Sequence, residues 1–208
     1  MTAVPAQAGW SAALPVNGIK DDGYRDAQPI PPGWNEYFRD TGMKIAELLQ
    51  SLSEGQVQYV LVGGLAVQLH GFMRSTVDID LVLAMNDKNL VSFIDVVKRF
   101  GLMPSIPVPI ESLRNAAQIE QWHREKGMLA FALREPQIGG GVVDVLVRPE
   151  VPFEKLRKNA VIGELFSQQI WIASIDDLLT MKRSANRPKD RLDIEALEKI
   201  KRGEDPNV

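Results

Sequence analysis

The chain has 208 residues, 45% of them hydrophobic and 25% charged, which is the composition of an ordinary globular protein. It has no cysteine and only two histidines, which excludes disulfides and thiolate metal sites and leaves little for a zinc centre. A net charge of −3 disfavours general binding to a nucleic-acid backbone. No apolar run approaches the roughly 20 residues of a membrane helix, and the N-terminus does not read as a signal peptide, so a cytoplasmic protein is expected.

Residues 1–33 are rich in alanine, proline and glycine without sustained period, and read as a flexible tail; Trp10 and Trp34 are unusual for one. From Asn35 to Ser53 the residues Phe38, Ile45, Leu48, Leu49 and Leu52 recur at helical spacing, and Gly55 follows as a stop. Val57 to Val62 is a β-branched and aromatic run, a buried strand, which Gly63-Gly64 ends. Leu65 to Gly71 is a short helix opened by the glycine pair. Val77 to Leu83 (VDIDLVL) is a second strand, and Leu90 to Phe100 a helix. A proline-rich loop spans 104–109, and Glu111 to Lys126 is a polar helix. Met128–Leu133 and Val142–Val147 form a hairpin around the Gly139–Gly141 turn.

The C-terminal part is helical. Ser174 and Asp177 form a capping box for a helix running to about Ala185, and Pro188 opens a last helix that ends near Ile200. Residues 148–172 carry no assigned element. Helices mixed with hairpin-linked strands give an α+β, or mixed α/β, fold: a small mixed sheet flanked by helices. The expected organisation is a tail (1–33), a core (34–172) and a C-terminal helical segment (173–208).

The informative residues are the aspartates that interrupt apolar strands. In VDIDLVL, Asp78 and Asp80 project to the same face, while Val77, Ile79 and Leu81 turn to the core. Aspartate is disfavoured in strands, and two like charges side by side call for something positive over them. Asp144 repeats the anomaly in VVDVLV. If the two strands are neighbours, three carboxylates converge on one patch, a donor set that suits Mg²⁺ or Mn²⁺ and a two-metal clamp for displacement at phosphorus. An Asp-x-Asp pair by itself is more often a solvent-facing pair, and the third aspartate evens that balance. Gly63-Gly64 adds a place where backbone can approach phosphate, although a lone glycine pair is usually just a tight turn.

The stretch VLVGGLAVQLHGFMRSTVDIDLVL (residues 60–83), followed by VVDVLV (142–147), resembles the DNA polymerase β-like nucleotidyltransferase superfamily. It looks closest to small bacterial members, including the nucleotidyltransferase-type toxins of toxin–antitoxin pairs. SIDDLLTMKRSANRPKDRLDIEAL (174–197) looks like their helical tail. The resemblance implies a transferase that moves a nucleoside monophosphate from a nucleoside triphosphate (NTP) to a hydroxyl acceptor, which is an RNA end, a protein or a small molecule. An antitoxin protein is a further implied partner. Gly63 and Gly64 would cradle the triphosphate, Asp78 and Asp80 would hold the metals, and Asp144 would complete the metal site and take the acceptor's proton. Lys182 and Lys189 would contact phosphates.

Read from composition alone, the charged run around these lysines is a solvated face. Arg74 and Thr76 precede the metal strand and are placed to touch nucleotide or acceptor; for Arg74 a surface ion pair is the alternative. His70 reads as a packing or capping residue. One departure stands out: many relatives have serine directly after the glycines, and this chain has Leu65. The alternative function is therefore a non-catalytic nucleotide- or partner-binding module on the same fold.

Overall fold

The computed structural model describes residues 28–29, 45–74, 76, 78–136, 141–165 and 168–208. The expected tail lies outside these residues except for Gln28–Pro29. Trp10, Trp34, Val77, the start of the first predicted helix and most of the glycine turn at 139–141 also lie outside them.

Eight strands form one sheet: β1 (Gln28–Pro29), β2 (Tyr59–Val62), β3 (Asp78–Leu83), β4 (Met103–Pro104), β5 (Ala130–Arg134), β6 (Val142–Leu146), β7 (Val161–Leu165) and β8 (Gln168–Ile172). Their spatial order is β1-β7-β8-β2-β3-β6-β5-β4. The helices are α1 (Ile45–Glu54), α2 (Gly63–Leu69), α3 (Asp87–Arg99), α4 (Ala116–Lys126), α5 (Phe153–Asn159), α6 (Ile175–Ala185) and α7 (Asp190–Lys201), with a 3-10 turn at Ile110–Arg114. None of the helices among the described residues is long and apolar enough to cross a membrane.

The mixed α/β expectation holds, with a larger sheet than the sequence suggested. The unassigned stretch supplies α5 and the β7–β8 hairpin; β8 runs parallel to β2 and β7 parallel to β1. Gln28 and Pro29, placed in the expected tail, thus belong to the sheet. The single polar helix expected over 111–126 is split at Asn115, whose side chain accepts from the Gln118 N–H and so starts α4 anew.

The core is built as the apolar patterns require. In β2 all four residues are buried, and in β3 Ile79 and Leu81 are buried between the two aspartates and beyond. Helix α2 is apolar except for Gln68, and is enclosed apart from its first residue. The capping box is present: Ser174 Oγ accepts from the Asp177 N–H at 3.2 Å, and Asp177 in turn accepts from the Ser174 hydroxyl and the Asn159 amide. Helix α6 packs on α7, and both touch α2, which places the helical segment against the β2–β3 end of the sheet.

One buried side chain locks the hairpin that carries the site. Asn89 of α3 accepts from the Gln58 N–H at 2.7 Å and donates to the Gln58 and Ala84 carbonyls, each at 2.9 Å. It therefore clamps the start of β2 to the end of β3. Asn89→Ala should leave the Gln58 N–H and the Ala84 carbonyl without their side-chain partner, while the Gln58 carbonyl keeps the Ala84 N–H, and cost about 1–3 kcal/mol. Urea unfolding followed by circular dichroism measures this; a loss below about 0.5 kcal/mol, the size of an ordinary surface substitution, would show that the clamp contributes little.

Candidate active site

Strand β2 ends at Val62 in extended conformation, and Gly63 then turns the chain with φ at +69°. This is left-handed backbone, open to glycine at no steric cost. Space enforces the same choice, because a Cβ on Gly63 would lie 1.9 Å from Asp80 Oδ2. Gly64 is walled by Thr76 and Arg74: a Cβ there would meet Thr76 Oγ1 at 3.0 Å and the Arg74 guanidinium at 3.3 Å. The glycine pair, Arg74, Thr76 and Asp80 are thus one packed unit.

The expected adjacency of the aspartate strands is present. β3 and β6 pair in parallel with Asp80 directly opposite Asp144 and Asp78 opposite Val142. Neighbouring strands lie about 4.8 Å apart, so the two carboxylates rise side by side from one sheet face. The nine residues given site roles from the sequence, Asp78, Asp80, Asp144, Gly63, Gly64, Arg74, Thr76, Lys182 and Lys189, line one cleft of about 500 Å³.

Among the described residues no three acidic or imidazole side chains are gathered at the spacing of a closed metal cage. Asp80 instead leans over the glycine turn, where the Gly64 backbone hydrogen bond favours its charged form. Burial, reinforced by Asp144 and Asp78, nevertheless outweighs this bond and the charge of Lys182, and pushes the Asp80 carboxyl up to about 6. Burial and Asp78 likewise raise Asp144, against the opposing charge of Lys189.

The helical segment departs from the solvated face expected of its charges. Lys182, Asp190 and Asp193 are buried, at 5%, 1% and 2% exposure. Lys182 Nζ reaches Asp193 Oδ2 at 2.6 Å and Asp190 Oδ1 at 3.4 Å. Arg74 reaches the same Asp193 oxygen at 2.5 Å, and Arg187 holds Asp190 at 2.7 Å. Arg74 therefore forms a largely enclosed ion pair, where a surface pair was the alternative to a ligand contact. Lys189 stands exposed at the start of α7. Asp190, Asp193 and Arg187 are cleft residues that the sequence reading passed over; the signal for them was the acid spacing of three at the start of a helix, which places both on one face.

His70 packs as expected. It is buried, burial lowers its pKa, and its Nε2–H donates to the Ala173 carbonyl at 2.8 Å, tying the end of α2 to the start of the helical segment. Leu65 lies in the core at 1% exposure and does not line the cleft. The wall behind the glycine turn is accordingly made of backbone, Arg74 and Thr76.

Comparison with solved structures agrees with this architecture. The lincosamide antibiotic adenylyltransferase LnuA, in a crystal structure with lincomycin bound, superposes with a TM-score of 0.50 at 14% identity, covering 75% of this chain and 95% of that one. ANT(2")-Ia, in complex with adenylyl-2"-tobramycin, gives 0.46 at 14% identity over 76% and 84%. No curated protein matches the chain in sequence. The fold is similar to that of the first of these, an adenylyltransferase, and one family model matches a segment of the chain. The particular family matched, over residues 42–108, is the nucleotidyltransferase of unknown function DUF6036. That segment carries the glycine pair, Arg74, Thr76, Asp78 and Asp80, and stops short of Asp144 and the helical residues.

The raised Asp80 carboxyl has a sign that can be measured. Its proton is held more tightly in the folded chain than in the unfolded one, where the value is near 4. The stability this contributes is full below about pH 4 and is lost as pH rises through about 6. In metal-free buffer at neutral pH, Asp80→Asn should therefore melt higher than the natural protein, and the gap should close as pH falls toward 4. Asp144→Asn should behave in the same direction. Thermal unfolding with chelator across that range checks both; variants that melt lower at neutral pH would mark these aspartates as architectural.

Proposed function

We propose that the chain is a metal-dependent nucleotidyltransferase whose cleft binds an NTP and transfers its nucleoside monophosphate to a small hydroxyl compound. The observation that carries this is the register of β3 and β6, which sets Asp80 beside Asp144 on the face that also bears Asp78, next to the glycine turn.

The donor set fits a hard divalent cation. All three groups are carboxylates, none is engaged in a described ion pair, and the half-buried Asp80 and Asp144 both carry a penalty for their charge that a cation would relieve. Asp78, Asp80 and Asp144 would hold Mg²⁺ or Mn²⁺, which would supply neutralisation of phosphate charge. Gly63 and Gly64 give the triphosphate a backbone surface without side chains, with Arg74, Thr76, Lys182 and Lys189 around it. In the transfer, the acceptor oxygen bonds to the α-phosphorus, the bond from that phosphorus to the bridging oxygen breaks, and pyrophosphate leaves. An Asp144 carboxylate oxygen takes the hydroxyl proton.

The electrostatics favour an acceptor without phosphates. The cleft's cations Arg74, Lys182 and Arg187 share Asp190 and Asp193, which offset two of their three charges, and Arg148 pairs with Glu120. Asp78, Asp80, Asp144 and Glu150 add negative charge along the same lining. A polyanion such as RNA would meet this surface unfavourably. Leu129, 60% exposed, and Leu146 offer an apolar patch beside Asp144. One solved structure of similar fold is named a lincosamide antibiotic adenylyltransferase, which makes hydroxyl-bearing small molecules the first panel to test.

The test is release of pyrophosphate from each of the four NTPs with Mg²⁺ and a panel of hydroxyl compounds, with labelled product identified by mass. Asp80→Ala should lower the rate on the order of 100-fold or more while leaving the fold intact, because catalysis of this kind is electrostatic positioning. Retained activity would reject the assigned mechanism. Binding of NTP with no turnover on any acceptor, including extract RNA and protein, would favour the non-catalytic module, for which the buried Leu65 in place of a hydroxyl is the supporting observation.

A further inference from the structure

We propose that Asp193 is the positioning residue of the phosphate pocket: one of its carboxylate oxygens holds both Arg74 and Lys182 and so fixes where each presents its charge. The inference rests on the nucleotide-binding reading above and extends it to a residue that would touch neither nucleotide nor metal.

Asp193 is 2% exposed and sits on the inward face of α7. Its Oδ2 accepts from Arg74 at 2.5 Å and from Lys182 at 2.6 Å. Two cations on one oxygen repel each other, and only the anion between them keeps them adjacent. Arg74 is further fixed from behind, because its backbone carbonyl accepts from the buried Gln68 amide. With Nη1 committed to Asp193, the other end of the guanidinium lies against Gly64, where Nη2 would be 3.3 Å from a Cβ. Arg74 thus spans from α7 to the glycine turn. Lys182 is held on the other side, close enough to Asp80 to lower its proton affinity, and shares Asp190 Oδ1 with Arg187.

The chain Arg74–Asp193–Lys182–Asp190–Arg187 has three cations and two anions. Its surplus positive charge faces the carboxylates and the glycine turn across the cleft. Asp193 belongs to the helical segment, while Arg74 and Gly64 belong to the sheet domain. The pocket is therefore assembled across the junction of the two, with Asp193 at its centre.

The experiment separates positioning from bulk charge because the two predict opposite signs. Removing an anion from the pocket should tighten binding of a polyanion if net charge is what counts. If Asp193 aims Arg74 and Lys182, its removal should weaken that binding. Calorimetry with inorganic tripolyphosphate and with orthophosphate, in Mg²⁺, gives the readout. The natural protein should prefer tripolyphosphate. Asp193→Asn should lose affinity for it on the order of 10-fold and narrow the preference over orthophosphate. Adding Arg74→Gln to Asp193→Asn should cost less than Arg74→Gln costs alone, since Asp193 acts through Arg74. Equal or tighter tripolyphosphate binding by Asp193→Asn, or fully additive effects, would overturn the proposal.

Asp193→Asn leaves Lys182 buried without its closest anion and can fail to fold. In that event Lys182→Met is compared with Lys182→Met/Asp193→Asn, in which no lysine is stranded. Weaker tripolyphosphate binding by the double variant supports the proposal, and equal binding overturns it. A natural protein that binds no tripolyphosphate rejects the nucleotide-binding reading itself and this inference with it, whereas failure confined to the variants rejects the inference alone.

Discussion

The pairing of Asp80 with Asp144 across β3 and β6 is the constraint around which the rest is arranged. A sheet interior is a poor place for one carboxylate and a worse one for two in register. The fold tolerates the pair because the strands are locked by apolar side chains on the other face, Ile79, Leu81, Val143 and Val145, all buried. Packing on one face thereby holds repulsion on the other. A shift of one residue in β3 would bury Asp78 and Asp80 and expose Ile79 and Leu81, and one in β6 would bury Asp144 and expose Val143 and Val145, so the register is fixed by the core and the site inherits its accuracy.

The second device is the exchange of charge between the two parts of the chain. Helices α6 and α7 bring a lysine and two aspartates into a place where neither sign would be stable alone. Arg74 joins from the segment before β3 and completes the set. Burial of such a network is costly, and its return is orientation: side chains that would sweep a large volume at the surface are confined to a single arrangement. The acidic wall and this basic wall face each other across one cleft, which is the distribution that a negatively charged ligand accompanied by cations requires.

Much of this was legible in the sequence, and the reasons are local. Strands β2, β3 and β6 are short apolar runs whose interruptions stand out, and alternation places Asp78 and Asp80 on one face without a structure. The Ser174 cap and the hairpin of β5 and β6 follow from turn and capping chemistry. Which strand neighbours which does not follow, since β3 and β6 are brought together by tertiary packing alone. Phe153–Asn159 and the β7–β8 hairpin escaped because they carry no glycine-rich turn or long period. Asp190 and Asp193 were read as part of a solvated mixed-charge run, and Lys182 as either solvated or a phosphate contact; only the position of Arg74 in space reveals that they are shared. The roles of Asp78, Asp80, Asp144, Lys182 and Lys189 remain those of the proposal, and what the fold adds is that they meet in one cleft.

The crossover between β3 and β6 also has a kinetic consequence. Strand β3 finishes at Leu83 and its parallel neighbour starts at Val142, with α3, β4, a 3-10 turn, α4 and β5 in between. Parallel pairings of such separation carry a loop-closure cost that must be met before their contacts form, and they are slow compared with local helices and hairpins. The β2–β3 and β5–β6 hairpins are local and precede the junction between them. During synthesis the glycine turn and the first two aspartates emerge long before Asp144, and the helical segment later still. A chain made only that far displays two of the three carboxylates without their partner strand, and the cleft comes into being only when the helical segment docks.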